Sequence, residues 1–256
     1  MALDLSGLPG IEIRKPKDVA KSPTFLFYGL PKSGKTTLAA SAALVEELSP
    51  VLVIDFEGGT ESLAGLYDVD VIRITNYEQG SEFLPKLLTQ DHGYKTVVLD
   101  PVNAFQKQLQ DQIVRKQKEF QPSAKANNSL GERSMLQADW MVVGDKMRKL
   151  FEGFHNAPFV TIFTAHAEKD KDPNTGALLM EPMMQGKISK SELGRIPTII
   201  GYVRMVEEGG NVFPVVRFGG GRGIIAGDRL RVLDTEEKDP TMRTIWGKIK
   251  PVLITK

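Results

Sequence analysis

At 256 residues, 41% of them hydrophobic and 25% charged, the chain can bury a sizeable core and has the composition of an ordinary globular protein. A formal net charge of +1 sets aside a globally basic nucleic-acid coat, so any such surface has to be local. The absence of cysteine excludes disulfides and thiolate zinc sites, and His92, His155 and His166 lack metal-ligand spacing. With no apolar run of spanning length and no signal-peptide core, a cytoplasmic protein without membrane contact is expected.

Residues 1–22 mix glycine, proline and both charges without a sustained period, which predicts an N-terminal arm lying over the core. Phe25 to Tyr28 reads as a buried strand running into Gly29-Leu30-Pro31-Lys32-Ser33-Gly34-Lys35-Thr36, a full G-x-x-x-x-G-K-[ST] match. An Ala- and Leu-rich helix follows and is expected to stop at Ser49-Pro50. Val51 to Asp55 is a continuous apolar run ending in an acid, as in strands of a parallel sheet covered on both faces, and Phe56-Glu57-Gly58-Gly59 comes after it. Val69 to Thr75 predicts a strand, Glu78 to Leu88 a helix, and Tyr94 to Asp100 a further strand ending in an acid. Asn103 to Phe120 predicts a polar helix and residues 121–133 a loop.

Ser134 with Gln137 is a capping-box pattern opening a helix whose Leu136, Trp140, Val143, Met147, Leu150 and Phe154 share one face. Pro158 to Ala165 predicts a buried strand that delivers His166 to its carboxyl end. From Ala167 to Gly194 no regular element is evident, which makes a loop well beyond the roughly 12–15 residues at which structureless loops become uncommon. Thr198 to Val206 and Asn211 to Phe218 predict a β-hairpin around Glu207-Glu208-Gly209-Gly210. The tail from Asp234 carries Trp246 and Ile249 and predicts a last short helix. The expected division is an arm at 1–22, a core at 23–232 and a tail at 233–256, the core being α/β with a mostly parallel sheet flanked by helices.

The glycine loop carries the chemistry. Gly29 and Gly34 are expected to take backbone conformations closed to other residues, so that N–H groups from Gly29 through Leu30, Pro31, Lys32, Ser33, Gly34, Lys35, Thr36 and Thr37 form one phosphate cradle (Pro31 supplying shape but no donor). Lys35 reaches the β- and γ-phosphates of ATP, and the Thr36 hydroxyl ligates Mg²⁺. Asp100 suits the second acid that holds Mg²⁺. The residue after it is Pro101, which leaves no glutamate there to activate water; Glu57 is the natural candidate for the base.

Phosphate loop, then a strand ending IDFE, then VVLD, then a strand ending TAH resembles the RecA-like P-loop NTPase core. GLPKSGKTTLA, VLVIDFEGG, TVVLDPVNAF and FTAH resemble the compact phage ATPases made of that core alone, some of them single-strand annealing proteins of recombination. The resemblance covers about residues 24–230. It implies that Glu57 polarises the attacking water and that His166 senses the γ-phosphate. It also implies that a Lys-x-Arg pair on a late strand reaches the neighbouring subunit's nucleotide; here Gly227 stands where the lysine would be, leaving Arg229. The implied partners are single-stranded DNA, further copies of the chain in a ring or filament, and a single-strand-binding protein. Lys187 and Lys190 in the long loop are the first candidates for DNA contact, with Arg115 and Lys116 as a second line. A ring-type replicative helicase core and a nucleotide kinase are the alternatives.

Overall fold

The computed structural model describes residues 22–120, 134–171, 176–221 and 223–254. Of the expected arm only Ser22 falls among them, and the expected loop at 121–133 lies outside the described residues. In chain order the elements are β1 (Thr24–Gly29), α1 (Lys35–Ala40), β2 (Val51–Asp55), β3 (Asp70–Arg73), α2 (Tyr77–Thr89), β4 (Thr96–Asp100), α3 (Val102–Phe120) and α4 (Gln137–His155). They continue with β5 (Val160–Lys171), β6 (Leu178–Pro182), α5 (Lys187–Arg195), β7 (Ile199–Glu208), β8 (Asn211–Arg217), β9 (Gly227–Asp228), β10 (Glu236–Lys238) and α6 (Met242–Ile254).

The strands form one sheet in the order β10-β8-β7-β1-β5-β4-β2-β3, with β6 paired to β5 and β9 to β7. β1, β5, β4, β2, β3 and β7 run parallel, while β8 and β10 are antiparallel additions at one edge. The apolar runs explain this arrangement, because alternate residues of a strand face opposite sides of the sheet. Leu26, Tyr28, Leu52, Ile54, Val97 and Leu99 bury against Leu84, Phe105, Val143, Met147 and Phe151 of α2, α3 and α4. Phe25, Phe27, Val51, Val53 and Val98 bury on the other face against Leu38 of α1 and Met242, Ile245 and Ile249 of α6. The sheet is therefore covered on both sides, and Gly29, Asp55, Asp100 and His166 emerge together at its carboxyl-end edge.

Four expectations need correction. The helix after the glycine loop stops at Ala40 and tightens into a 3₁₀ turn over Ser41–Leu44, well short of Pro50. Its Ser41 hydroxyl donates to the Leu38 carbonyl at 2.6 Å and accepts the Met242 N–H at 2.7 Å, a back-bond that bends helices and here meets the C-terminal crossing. The helix expected to open at Ser134 instead begins at Gln137, where the Asp139 carboxylate accepts the Leu136 N–H at 2.7 Å. Leu136 is exposed, and the buried side of the helix is Val143, Met147, Phe151 and Phe154.

The long loop does not exist as such. β5 continues past His166 to Lys171, β6 pairs back onto it with Glu168 opposite Glu181, and α5 follows. Lys190 of α5 makes this possible by pairing with Glu168 at 2.9 Å, Asp170 at 3.1 Å and Glu181 at 2.6 Å. A like-charge strand pair is thereby neutralised from above.

The tail is woven into the core. β10 pairs with β8, and Met242, Ile245 and Ile249 are fully or almost fully buried. Ile249→Ala should therefore destabilise the fold by about 2–5 kcal/mol, the usual range for emptying a core aliphatic site. Chemical denaturation measures it; a shift below about 0.5 kcal/mol, typical of surface positions, would mean that the tail does not contribute to the core.

Candidate functional site

The glycine loop leaves β1 at Gly29 and enters α1 at Lys35. Gly34 sits at φ 91, in the left-handed region, as expected. Gly29 is glycine for a different reason from the one expected: a Cβ there would lie 2.1 Å from the Val203 carbonyl oxygen of β7. The second left-handed residue is Lys32, at φ 62. Ser33 is buried with an unpartnered hydroxyl oxygen. Lys35 is only 6% exposed, and its ammonium donates to the Leu30 carbonyl of the same loop at 2.9 Å. Burial lowers its pKa, while the charges of Asp100 and Glu57 work in the opposite sense.

Asp100 ends β4 and is 3% exposed. The Thr36 hydroxyl donates to its Oδ2 at 2.8 Å, and the Thr164 hydroxyl of β5 donates to its Oδ1. Its pKa is nonetheless raised, chiefly by burial and also by the charge of Asp55, against the pull of the two hydroxyls and Lys35. A buried carboxylate beside a threonine hydroxyl is an oxygen-only donor set of the kind Mg²⁺ takes. Among the described residues no group of three or more His, Cys, Asp or Glu side chains could hold a metal alone. Mg²⁺ fits here as a partner of bound phosphates, with Thr36 and Asp100 as its protein side.

Glu57 faces His166 across this edge. Their Oε2 and Nε2 atoms are 2.9 Å apart, and since a carboxylate can only accept, Nε2 carries the proton. The His166 backbone N–H donates to the Asn103 side chain at 2.9 Å, and its buried Nδ1 has no partner among the described residues. The loop bearing Glu57 is held by a residue that sequence reading passed over as a strand terminus. Asp55, 2% exposed, accepts the Glu57 N–H at 2.9 Å, the Gly58 N–H at 2.6 Å, the Thr60 hydroxyl at 2.8 Å and the Arg73 guanidinium at 2.7 Å. An acid at a strand end just before two glycines is the signal that could have found it.

Lys32, Lys35, Thr36, Glu57, Asp100 and His166 line one cavity of about 600 Å³, together with Pro31, Gly34 and Thr37. A polar cavity at the carboxyl ends of parallel strands, walled by a complete phosphate-binding loop, is where an α/β sheet binds a nucleotide. A family profile for the AAA domain matches residues 21–250. The chain belongs to this family of P-loop ATPases. ATP binding and hydrolysis follow from that membership, and ATPases of this family generally work with Mg²⁺. No curated protein matches the chain in sequence.

The other expected residues lie elsewhere in this AAA domain. Arg229 follows β9, which pairs with the start of β7, and its guanidinium donates to the Arg195 carbonyl. It lies at the amino-end edge of the sheet, about a strand's length (~17 Å) from the cavity. Lys187 is exposed at the start of α5, whereas the Lys190 ammonium is engaged by three carboxylates that hold its pKa high against the opposing effect of burial. Arg115 pairs with Glu78 and Glu119, and Lys116 is exposed on α3. Among the described residues no helix is long and apolar enough to cross a membrane.

Asp55→Asn tests the support of Glu57. It keeps the side-chain shape but removes the charge facing Arg73 and two backbone amides. If Glu57 is the base, loosening it by about 1 Å can cost up to ~10²-fold in rate, so kcat should fall while ATP affinity stays near wild type. Steady-state ATPase kinetics beside nucleotide titration measure both, and equal losses in the two would show that Asp55 supports the whole cavity.

Proposed function

We propose that this AAA-domain protein hydrolyses Mg²⁺-bound ATP with Glu57 as general base and His166 as γ-phosphate sensor, and couples that cycle to single-stranded DNA in recombination or strand annealing. The observation that carries the reading is the Glu57–His166 pair at 2.9 Å, placed on the wall of the same cavity as Lys35 and Asp100.

The residues divide the work by their chemistry. The buried Lys35 ammonium exchanges the Leu30 carbonyl for the β- and γ-phosphate oxygens, where its charge is worth more than in water. Glu57 accepts a proton from the attacking water as the water oxygen bonds to the γ-phosphorus and the bond to the bridging oxygen breaks, releasing ADP and phosphate. Mg²⁺, when bound beside Thr36 and Asp100, supplies screening of the phosphate charge. His166 gives Glu57 a hydrogen-bond donor through Nε2–H, and a γ-phosphate competes for that same donor.

The link to DNA is supported by chain continuity and by the motif order that resembles annealing ATPases. His166 is the residue at which β5 leaves the sheet to become the arm of β5, β6 and α5, and its carbonyl accepts the Met183 N–H at 2.7 Å. That arm carries Lys169, Lys171 and Lys187, all exposed. Lys190, spent on three carboxylates, serves the arm's folding, so Lys187 is the better of the two candidate phosphate contacts, with Arg115 and Lys116 on α3 as a second line. Copies of the chain arranged in a ring or filament, with Arg229 reaching a neighbour's nucleotide, and a single-strand-binding protein complete the proposed partners.

Lys35→Ala should abolish ATP turnover, and Glu57→Gln should retain ATP binding while slowing hydrolysis by about 10²–10⁴-fold. Hydrolysis near wild type in the glutamine variant would move the base to another residue. ADP release is measured with and without single-stranded DNA: stimulation supports the DNA reading, whereas release that needs a small acceptor and ignores DNA identifies a kinase.

The contact surface is tested separately, on the wild-type ADP signal. Lys169→Ala with Lys187→Ala should weaken single-strand binding and flatten its salt dependence by up to about 0.7 per lost contact. If both stay unchanged while Arg115→Ala with Lys116→Ala removes binding, α3 is the DNA surface.

A further inference from the structure

α3 leaves β4 with Pro101 alone between Asp100 and its first residue, Val102. In the sheet β4 lies between β5 on one side and β2 with β3 on the other, so the helix starts between the strand that carries His166 and the strand that leads to Glu57. Its first two turns bear two side-chain amides, Asn103 and Gln108, roughly 140° apart around the axis at about 100° per residue. Asn103 reaches β5, where its Oδ1 accepts the His166 N–H at 2.9 Å. The β4–β5 register ends at Leu99 opposite Phe163, so a side chain takes over where the strand partner stops. Gln108 reaches the other side: its Nε2 donates to the Phe56 carbonyl at 3.1 Å and to the Ile74 carbonyl at 3.0 Å. Those two residues are the first beyond β2 and β3. Two carbonyls need two N–H groups, which fixes the way the amide faces.

We propose that Gln108 and Asn103 are positioning residues of the ATPase reaction, Gln108 aiming Glu57 and Asn103 aiming His166. The inference rests on the reading of Glu57 as base and His166 as its partner, and adds to it the side chains that keep the two in range of each other.

The Glu57 side chain is 53% exposed, and its hydrogen bond among the described residues is the one to His166. Its place is therefore set by its backbone. That backbone is pinned at three successive groups: the Phe56 N–H donates to the Asp100 carbonyl at 2.8 Å, the Phe56 carbonyl accepts from Gln108, and the Glu57 N–H donates to the Asp55 carboxylate at 2.9 Å. The last two belong to one planar peptide, and a peptide held at both its C=O and its N–H cannot swing about the chain. The direction in which the Glu57 side chain leaves the backbone follows from that. Gln108 carries a cost as well, because its Oε1 is buried without a partner among the described residues. An unmet buried acceptor lowers stability, and methionine would fill the same space without it. The donor is what the position needs.

Gln108→Met keeps the volume and removes both donors, and Asn103→Ala removes the acceptor. In the full-length protein with Mg²⁺ and ATP, Gln108→Met should lower kcat about tenfold or more while the calorimetric ATP affinity stays within about twofold of wild type. A merely structural role would reduce activity whatever stands at position 57. A positioning role would not: in a Glu57→Gln background, Gln108→Met should change single-turnover hydrolysis by less than about twofold. Asn103→Ala should likewise lower kcat about threefold or more, and by less than about twofold when His166 is replaced by alanine. Wild-type turnover in Gln108→Met, or a loss of equal size with Glu57 and with its glutamine replacement, overturns the proposal for Gln108. Equal losses from Asn103→Ala with and without the His166 ring overturn it for Asn103. Hydrolysis near wild type in Glu57→Gln alone is a distinct result: the base reading has then failed and takes this proposal with it. Circular dichroism checks each fold, and Gln108→Ala supplies the same comparison should the methionine variant not fold.

Discussion

Asp100 is the point at which the catalytic edge is tied together. Its carboxylate is buried at the end of β4 and takes one hydroxyl from Thr36 at the start of α1 and one from Thr164 in β5. Three elements distant in sequence converge on two oxygen atoms, and the glycine loop inherits its position from them. The arrangement is not a comfortable one for an anion, since burial, together with the Asp55 charge, pushes the pKa up against both hydroxyls and the Lys35 charge. Loss of either hydroxyl would leave a buried charge even less compensated, and such losses are among the more damaging that a fold can suffer. A cation bound beside this carboxylate would offset part of the desolvation penalty that folding imposed.

The same logic separates Asp100 from Asp55. The two acids end neighbouring parallel strands, in register with each other, and both are almost fully buried. Asp55 is surrounded by donors: two backbone amides, a hydroxyl and the Arg73 guanidinium. Among the described residues Asp100 takes two hydroxyls, and it retains capacity toward the cavity. One carboxylate is saturated by the protein and fixes a loop, the other is left under-satisfied where a ligand arrives. Equivalent places in the sheet have been given opposite tasks by what the following residues supply.

Much of this was legible in the sequence because parallel strands buried on both faces are continuous apolar runs. The strands ending at Gly29, Asp55 and Asp100, and the strand that delivers His166, all follow from that pattern, as does the hairpin around Gly209-Gly210. The glycine-loop spacing places Lys35 and Thr36 without any structure. What the pattern hid is instructive. Residues 167–171, Ala-Glu-Lys-Asp-Lys, carry no apolar periodicity, and their strand exists because a lysine some twenty positions later neutralises one face of it. The short α5 presents little hydrophobic stripe, and its seat on α4 depends on Gly144, where a Cβ would come within 2.9 Å of Ile188. A close approach permitted by one missing methyl group leaves no periodic trace. Asp55 was passed over for a related reason: its partner Arg73 is brought to it only by the pairing of β2 with β3.

The position of Arg229 constrains any assembly. Phosphates enter at the carboxyl-end edge of the sheet, while Arg229 stands at the amino-end edge, beside Thr198 and the first residue of β1. Within one chain the two are a strand's length apart, with the packed sheet between them. A cation so placed can meet a nucleotide only if the amino-end edge of one copy faces the carboxyl-end edge of the next. Such a contact joins unlike surfaces, and repeating it closes into a ring or extends into a filament, whereas a two-fold dimer cannot place both Arg229 residues this way without a second kind of contact. The fold therefore makes a sharp demand. A role for Arg229 at a neighbour's nucleotide requires head-to-tail copies; within the chain its guanidinium is bonded to the Arg195 carbonyl.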